Sequence, residues 1–427
     1  MPEKLIRDPV HDVIAFQTDR DEDALLFSLL NANEFQRLRR IRQLGMASLA
    51  YPGADHSRYS HSLGVMETAR RVLDRLAESH PIDPADRLAC VAAALLHDLG
   101  HGPFSHVFER VSGVSHELVT QRVILDPQSD VNRILRDRDA ALPARVAGLL
   151  RHDSPPTFIN DVLSSQLDAD RLDYLLRDNH MTGSRYGDYD LSWLLQAMTI
   201  AKTTNRLAVQ WKGVSAVEAY LQARYHMYRN VYFHKVVRSA EGMVKLALQR
   251  ASRLAVQGRL NWPSREHGVC KTLLSLSLSN AEFVDLDDIS VLHCFKEWSR
   301  SEDAVLARLC GGLLYRRLYK TIDLSRVEPA AAAHAVKRAF EAVTAVGGDA
   351  AYDLFFDEVA DTPYAAYDPA NGEAGSEIMV CEPDGKLIEF AAISPAAATL
   401  SRQLVFRRLH VLGEYRDTVA AAVSAKS

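Results

Sequence analysis

Residues 93–106 read AALLHDLGHGPFSH, and the fold turns on how that stretch is understood. The run leading into it, 84–99, is apolar on nearly every face, which predicts a buried central helix. Gly100, Gly102 and Pro103 then break it. His97 and Asp98 stand at its end, about 100° apart around the axis, so the two side chains can grip one ion from two sides. A buried carboxylate at such a place is costly unless paired or metal-bound. An HD dipeptide alone says little, since His11-Asp12 and His152-Asp153 also occur. The order is the stronger signal: His61 in RYSHSLGV, then His97-Asp98, then Asp170 in SSQLDADRLDYLL. Two imidazoles and two carboxylates can hold one divalent cation (Mn, Fe, Zn, Ni or Mg) and leave positions open for water and a phosphate oxygen.

Around this centre the periodicity is helical. Apolar spacing predicts helices over 31–44, 60–78, 144–152, 159–179 and 192–199, and a long one over 214–255. Residues 6–16 read as an extended segment or turn and 206–211 as a strand. Past residue 256 the pattern changes. Helices are expected at 287–299, 304–319 and 330–346, and strands 377–381 and 386–392 flank the turn Pro383-Asp384-Gly385. The expectation is a mainly α protein, with a helical catalytic domain over 1–255 and a smaller α+β lobe over 256–427.

The bulk composition fits that expectation. Of 427 residues, 47% are hydrophobic and 25% charged, ordinary values for a globular chain. A net charge of −5 gives no whole-chain field that would favour nucleic acid or a membrane surface. Cys90, Cys270, Cys294, Cys310 and Cys381 are odd in number and form no CxxC pair, so they read as free thiols in a reducing compartment. The start, MPEKLIRDPVHD, lacks an apolar targeting core, and the longest apolar run, 88–96, falls far short of the roughly 20 residues that span a bilayer. A soluble cytoplasmic protein is expected.

Two further layers surround the proposed ion. His101, His106, Glu109 and His116 follow the HD pair closely, and a histidine oriented by a carboxylate suits general acid work; singly, each also reads as an ordinary surface or structural residue. Arg58 lies one turn before His61, while Arg171, Tyr174 and Asp178 share a helix face after Asp170. Arg224, Tyr228 and Tyr232 recur every four residues, with Lys235 beyond. Arginine's planar fork fits phosphate. A tyrosine stripe at that spacing fits a core equally well.

The segments RDPVHDVI, FQRLRRIRQLG, YPGADHSRYSHSLGV, LLHDLGHGPFSH, LDADRLDYLLRD and RYHMYRNVYFHK, in that order over residues 7–240, resemble the HD-domain deoxynucleoside triphosphate triphosphohydrolases, both the mammalian SAM-and-HD-domain enzyme and its bacterial HD phosphohydrolase relatives. The resemblance implies an HD-domain helical core in which His61, His97, Asp98 and Asp170 hold the metal. It implies Arg58, Arg171 and Arg224 for the triphosphate, with His101 steadying it. His106 would be the general acid, supported by Glu109 and His116. Gln43 and Asp178 would bind the sugar 3′-hydroxyl and Leu44 would pack on the sugar. Tyr232 and Tyr174 would wall off a 2′-hydroxyl. The implied products are a deoxynucleoside and inorganic triphosphate, and the implied assembly is a homo-oligomer, dimer to hexamer, with a possible nucleotide activator.

The chain departs from the pattern in places. Asn31 stands where activated relatives carry an acidic residue, and Arg7 and Val13 where they carry Asn and His, although Gln36 and Arg39 are retained. Arg171 replaces Lys and Phe233 replaces Gln. These changes bear on activation and substrate. Two other readings stay open: a related HD enzyme acting on another nucleotide, a nucleoside monophosphate or nucleic-acid ends, and a non-catalytic nucleotide-sensing protein.

Overall fold

The central helix forms because its ends are specified and its faces are apolar. Helix α2 (Pro84–Leu96) opens with Pro84 in its first turn and is capped by the Asp83 carboxylate, which accepts from Ala85 N at 2.8 Å and Asp86 N at 3.3 Å. Every side chain from Ala89 to Leu96 is buried. Truncating one of its leucines to alanine is expected to cost about 2–5 kcal/mol. Packed on it is α1 (Arg58–Ala77), which also crosses α3 (Ala169–Thr182). The crossing is close because Gly64 lies at it: a Cβ there would stand 1.9 Å from Asp173 Oδ1. The chain continues through α4 (Val214–Met227) into α5 (Lys235–Val256), which carries a second apolar core with the helices Asp288–Trp298 and Ala304–Leu314.

This computed structural model describes residues 3–151, 156–263, 268–364 and 377–424, with the His106 side chain excepted. His152-Asp153 lies outside them. The chain is mainly helical, as expected. Three small sheets complete it. The hairpin Glu3–Asp8 with Asp12–Gln17 is antiparallel. Arg206–Gln210 pairs antiparallel with Met198–Ala201 and parallel with Met379–Cys381, so the C-terminal hairpin Met379–Cys381/Leu387–Glu389 finishes a sheet begun by earlier strands. The third sheet has Leu404–Val411 at its centre, flanked antiparallel by Lys320–Asp323 and Leu354–Asp361.

Several expected elements are shorter or broken. The 31–44 helix is only Asn33–Arg37 plus a 3₁₀ turn, Leu38–Arg40. Beyond it the chain swings out to pair with the segment before α1: Gln43 N donates to His56 O at 3.0 Å and Arg58 N to Ile41 O at 2.9 Å. The 159–179 helix is two, Phe158–Leu163 and α3, because Asp168 caps α3 by accepting from Arg171 N at 2.8 Å. The 192–199 helix ends at Ala197 and passes directly into a strand. The 304–319 helix ends at Leu314, with Arg316 in the left-handed region at φ 56°.

The long 214–255 helix is interrupted by a π turn, Tyr228–Tyr232, and restarts at Lys235. Its carbonyls are taken by distant donors: Tyr51 Oη donates to Asn230 O and Arg408 Nη1 to Phe233 O, both at 2.5 Å. π turns recur at functional sites, and this one re-phases Tyr232 relative to Arg224.

Candidate metal and phosphate site

Three elements meet at one end of a cavity of about 550 Å³. His61 comes from α1, His97 from the turn just after α2, and Asp170 from the first turn of α3. One ligand atom from each lies within 4.8 Å of the others. His61 Nε2 is 2.9 Å from Asp170 Oδ1, and His97 Nε2 is 3.7 Å from the same oxygen. Both Nε2 atoms are buried, and neither makes a hydrogen bond among the described residues. The donor set suits a divalent ion: two imidazole lone pairs and a carboxylate converge on one space. Electrostatics agree. Burial disfavours a charged His61, yet Asp170 and Asp173 outweigh it and push the imidazole up to about 10, so the trio is short of positive charge. Asp98 stands beside the trio, 3.3 Å from His97 Nε2 and 3.9 Å from His61 Nε2, but its Oδ2 is held by Arg58.

Behind His61 is a layer that reading the sequence missed. His61 Nδ1 is bonded to Asp173 Oδ2 at 2.8 Å, and Asp173 is fully buried. Arg177 and His11 bind that same carboxylate at 2.8 and 2.7 Å, and Arg177 reaches Asp8 at 2.7 Å. Burial works against the Asp173 charge, but Arg177, His11 and His61 hold the carboxyl well below the usual range. A carboxylate behind a ligating imidazole fixes its tautomer and ring orientation. The signal was available: Gly64 and Asp173 each fall three residues after His61 and Asp170.

The remaining predicted residues spread around the cavity. Gln43, Leu44, Arg58, His101, His116, Arg171, Tyr174, Asp178 and Tyr232 line it. Arg58 Nε donates to Ser105 Oγ at 2.9 Å. His101 Nδ1 is 3.1 Å from Asp98, and burial together with Arg58 pushes its imidazole well below the ordinary value. His116 Nδ1 is 3.2 Å from Glu109 Oε2, and its ring lies 3.9 Å from that of His101. His106 opens the helix His106–Ser112; its side chain is outside the described ones. Asp178 is clamped between His56 and Tyr232, each at 2.8 Å. The Tyr174 and Tyr232 rings meet edge to face at 6.1 Å. Arg224 is not at the cavity surface but lies behind Tyr228, its guanidinium carbon 5.3 Å from that ring.

The turn carrying these groups is itself pinned. Phe104 and Ser105 both have positive φ, 53° and 55°, a conformation that costs on the order of 1–3 kcal/mol per residue. Asp288, at the start of the helix Asp288–Trp298, accepts from Phe104 N at 2.8 Å and from Arg42 N at 3.0 Å. Ser105 Oγ donates to Arg42 O at 3.2 Å. Burial pushes the Asp288 carboxyl up to about 6 despite those two donors.

A helical core that converges two histidines and a carboxylate beside arginines defines an HD-type phosphohydrolase, and the comparisons agree. Residues 58–178 match the HD domain and residues 189–259 the HD associated region. The chain belongs to the HD-domain phosphohydrolases. It is 37% identical to YwfO of Bacillus subtilis over 402 residues, covering 93% of this chain and 89% of that protein. A phosphohydrolase from Bacteroides thetaiotaomicron has a similar structure, with a TM-score of 0.81 and 29% identity over 96% of this chain and 99% of that one. The deoxynucleoside triphosphate triphosphohydrolase of Gallus gallus is 29% identical over 58% of this chain, which spans 45% of that protein. Among the described residues no helix is long and apolar enough to cross a membrane.

Proposed function

We propose that the chain cleaves deoxynucleoside triphosphates to a deoxynucleoside and inorganic triphosphate. The observation that carries the reading is the convergence of His61, His97 and Asp170 in a cavity also lined by Arg58, Arg171, Tyr174, Asp178 and Tyr232. With Asp98, the three residues are assigned to the metal. A bound divalent ion supplies Lewis-acid polarisation of the phosphate and acidifies water. Arg58, Arg171 and Arg224 neutralise the phosphate chain. His106, supported by Glu109 and His116, protonates the departing 5′ oxygen, and His101 steadies the phosphates. Gln43 and Asp178 bind the 3′-hydroxyl, Leu44 packs on the sugar, and Tyr232 and Tyr174 crowd a 2′-hydroxyl. Residues 1–255 are assigned to catalysis and 256–427 to assembly or regulation in a homo-oligomer.

The test is product analysis. The purified chain is incubated with each of the four dNTPs and with Mn, Fe, Zn, Ni or Mg, with and without added NTPs. Inorganic triphosphate supports the reading. Orthophosphate or a nucleoside monophosphate would assign the site to another nucleotide reaction. No turnover with any metal would leave a nucleotide sensor.

A further inference from the structure

We propose that Glu241, on α5, is a specificity-determining residue that reads the nucleobase of the substrate and selects guanine. The inference rests on the reading of the cavity as a nucleotide site with its sugar against Gln43 and Leu44. That reading leaves the base to the part of the cavity beyond Leu44, where α5 forms the wall: Val237, Arg238 and Glu241 all line the cavity. Val237 packs with Ala47, and Leu44 lies against the same small cluster. Glu241 stands one helical turn further on, about 6 Å along the axis, within reach of a base whose sugar is held at Leu44. Gln43 Oε1, next to Leu44 in the chain, is buried and has no hydrogen-bond partner among the described residues, an acceptor left for a ligand.

The fold holds Glu241 by one oxygen and leaves the other open. Behind it, α5 packs closely on the strand Leu354–Asp361: a Cβ at Gly242 would stand 2.0 Å from Phe355 Cζ. From that strand Asp357 grips Arg238 through two bonds of 2.6 and 3.1 Å, and the remaining nitrogen, Arg238 Nη1, donates to Glu241 Oε2 at 2.5 Å. Among the described residues no group donates to Oε1, and the side chain stays 23% exposed. The helix His106–Ser112 packs on α5 and brings Arg110 to the same cavity. Burial pushes the Glu241 carboxyl up, against Arg238 and then Arg110, so the carboxylate gains from further N–H donors. A carboxylate can accept two donors side by side. Guanine is the base with two adjacent donors, N1–H and the 2-amino group, and its O6 and N7 suit an arginine fork. Adenine and cytosine set one donor beside a bare ring nitrogen. Thymine flanks its single N–H with two carbonyls, which a carboxylate repels.

Titration calorimetry on the full chain tests this, with its metal and after chelation to stop turnover, using dGTP, dITP and dTTP. dITP differs from dGTP only in lacking the 2-amino group. The parent is expected to bind dGTP about tenfold tighter than dITP, and dTTP more weakly than either. In Glu241→Ala the dGTP-to-dITP ratio should fall to within about twofold, a change that a loss of stability alone would not produce. Glu241→Gln, which keeps the size and removes the charge, serves if the Ala variant does not fold. Arg110→Gln should weaken dGTP and dITP alike, because both carry O6 and N7, and leave their ratio unchanged. Equal binding of dGTP and dITP by the parent overturns the proposal. A preference that survives in Glu241→Ala overturns it too, placing the guanine-reading group elsewhere. Binding of none of the three would sink the nucleotide reading itself, and the base assignment with it. Cleavage products do not enter, so a different hydrolysis would leave the assignment standing.

Discussion

The two ends of the cavity balance their charges differently. At the ion end, His61, His97 and Asp170 face one another with too little positive charge, and His61 is driven toward protonation. At the end proposed to take the phosphates each cavity arginine already has a carboxylate, Asp98 for Arg58 and Asp168 for Arg171, and behind Tyr228 Asp361 stands 3.6 Å from Arg224. The first end therefore gains from any divalent cation that fits. On the proposed reading, an anion at the second end must compete with the Arg58–Asp98 and Arg171–Asp168 ion pairs already there.

The largest effect should come from the ion end. Asp170→Asn removes the charge that both imidazoles face, and activity is expected to fall by at least about 10³-fold. Metal analysis of the dialysed protein should show the bound ion lost in parallel. Retained turnover would mean that the two ends had been assigned the wrong way round. Next is the layer behind it. Asp173→Asn takes a charge from the buried Arg177 and an acceptor from His61, which is expected to cost about 3–5 kcal/mol of stability. Metal affinity should drop about 10–100-fold in addition. Chemical denaturation and metal titration read the two effects; a variant that lost stability but kept its metal affinity would make Asp173 a purely structural buttress.

The same division explains what the sequence made legible. His97 and Asp98 stood out because a polar pair at the end of an apolar helix demands a partner, and His61 and Asp170 because they complete the H…HD…D order. The helices that carry them followed from periodicity. The breaks did not, because some of them involve groups far away along the chain. Tyr51 and Arg408 take the Asn230 and Phe233 carbonyls at and just after the end of the π turn, and no local pattern records them. Asp168 was read as helix interior, although an Asp three residues before Arg171 is a capping signal. His11 looked like a chance HD pair and instead buttresses Asp173. Asp288 reaches the turn that carries Phe104 and Ser105 only through helix packing of the C-terminal segment, which no motif announces.

Asp288 allows a test by pH. Its folded carboxyl, pushed up to about 6, lies above the ordinary unfolded value. The folded state therefore holds this proton more tightly. The stabilisation is present below about pH 4 and is lost as pH rises through about 6. Asn at this position does not titrate. The stability of the parent minus that of Asp288→Asn should fall between pH 4 and 7 by on the order of 2 kcal/mol, then level off. Denaturation midpoints at unit pH steps give this difference directly. A flat difference would show that the Phe104 and Arg42 donors fully offset burial, making the pinned turn insensitive to acid.

The smallest effect lies at Tyr232, in the proposed sugar wall, and it separates a ring from its hydroxyl. Tyr232 contributes an aromatic face beside Tyr174 and a donor to Asp178, whose other oxygen stays with His56. If bulk excludes a 2′-hydroxyl, Tyr232→Phe should keep the preference for dNTP over NTP within about threefold, while Tyr232→Ala relaxes it by about tenfold. The Phe variant should lose about 1 kcal/mol of stability, because the buried Asp178 carboxylate keeps one donor rather than two. The kcat/KM ratio for each dNTP and NTP pair measures the preference. Equal relaxation in both variants would move the discrimination from the ring to the Tyr232–Asp178 hydrogen bond. The wall would then act through the orientation of Asp178, as the ion end acts through Asp173.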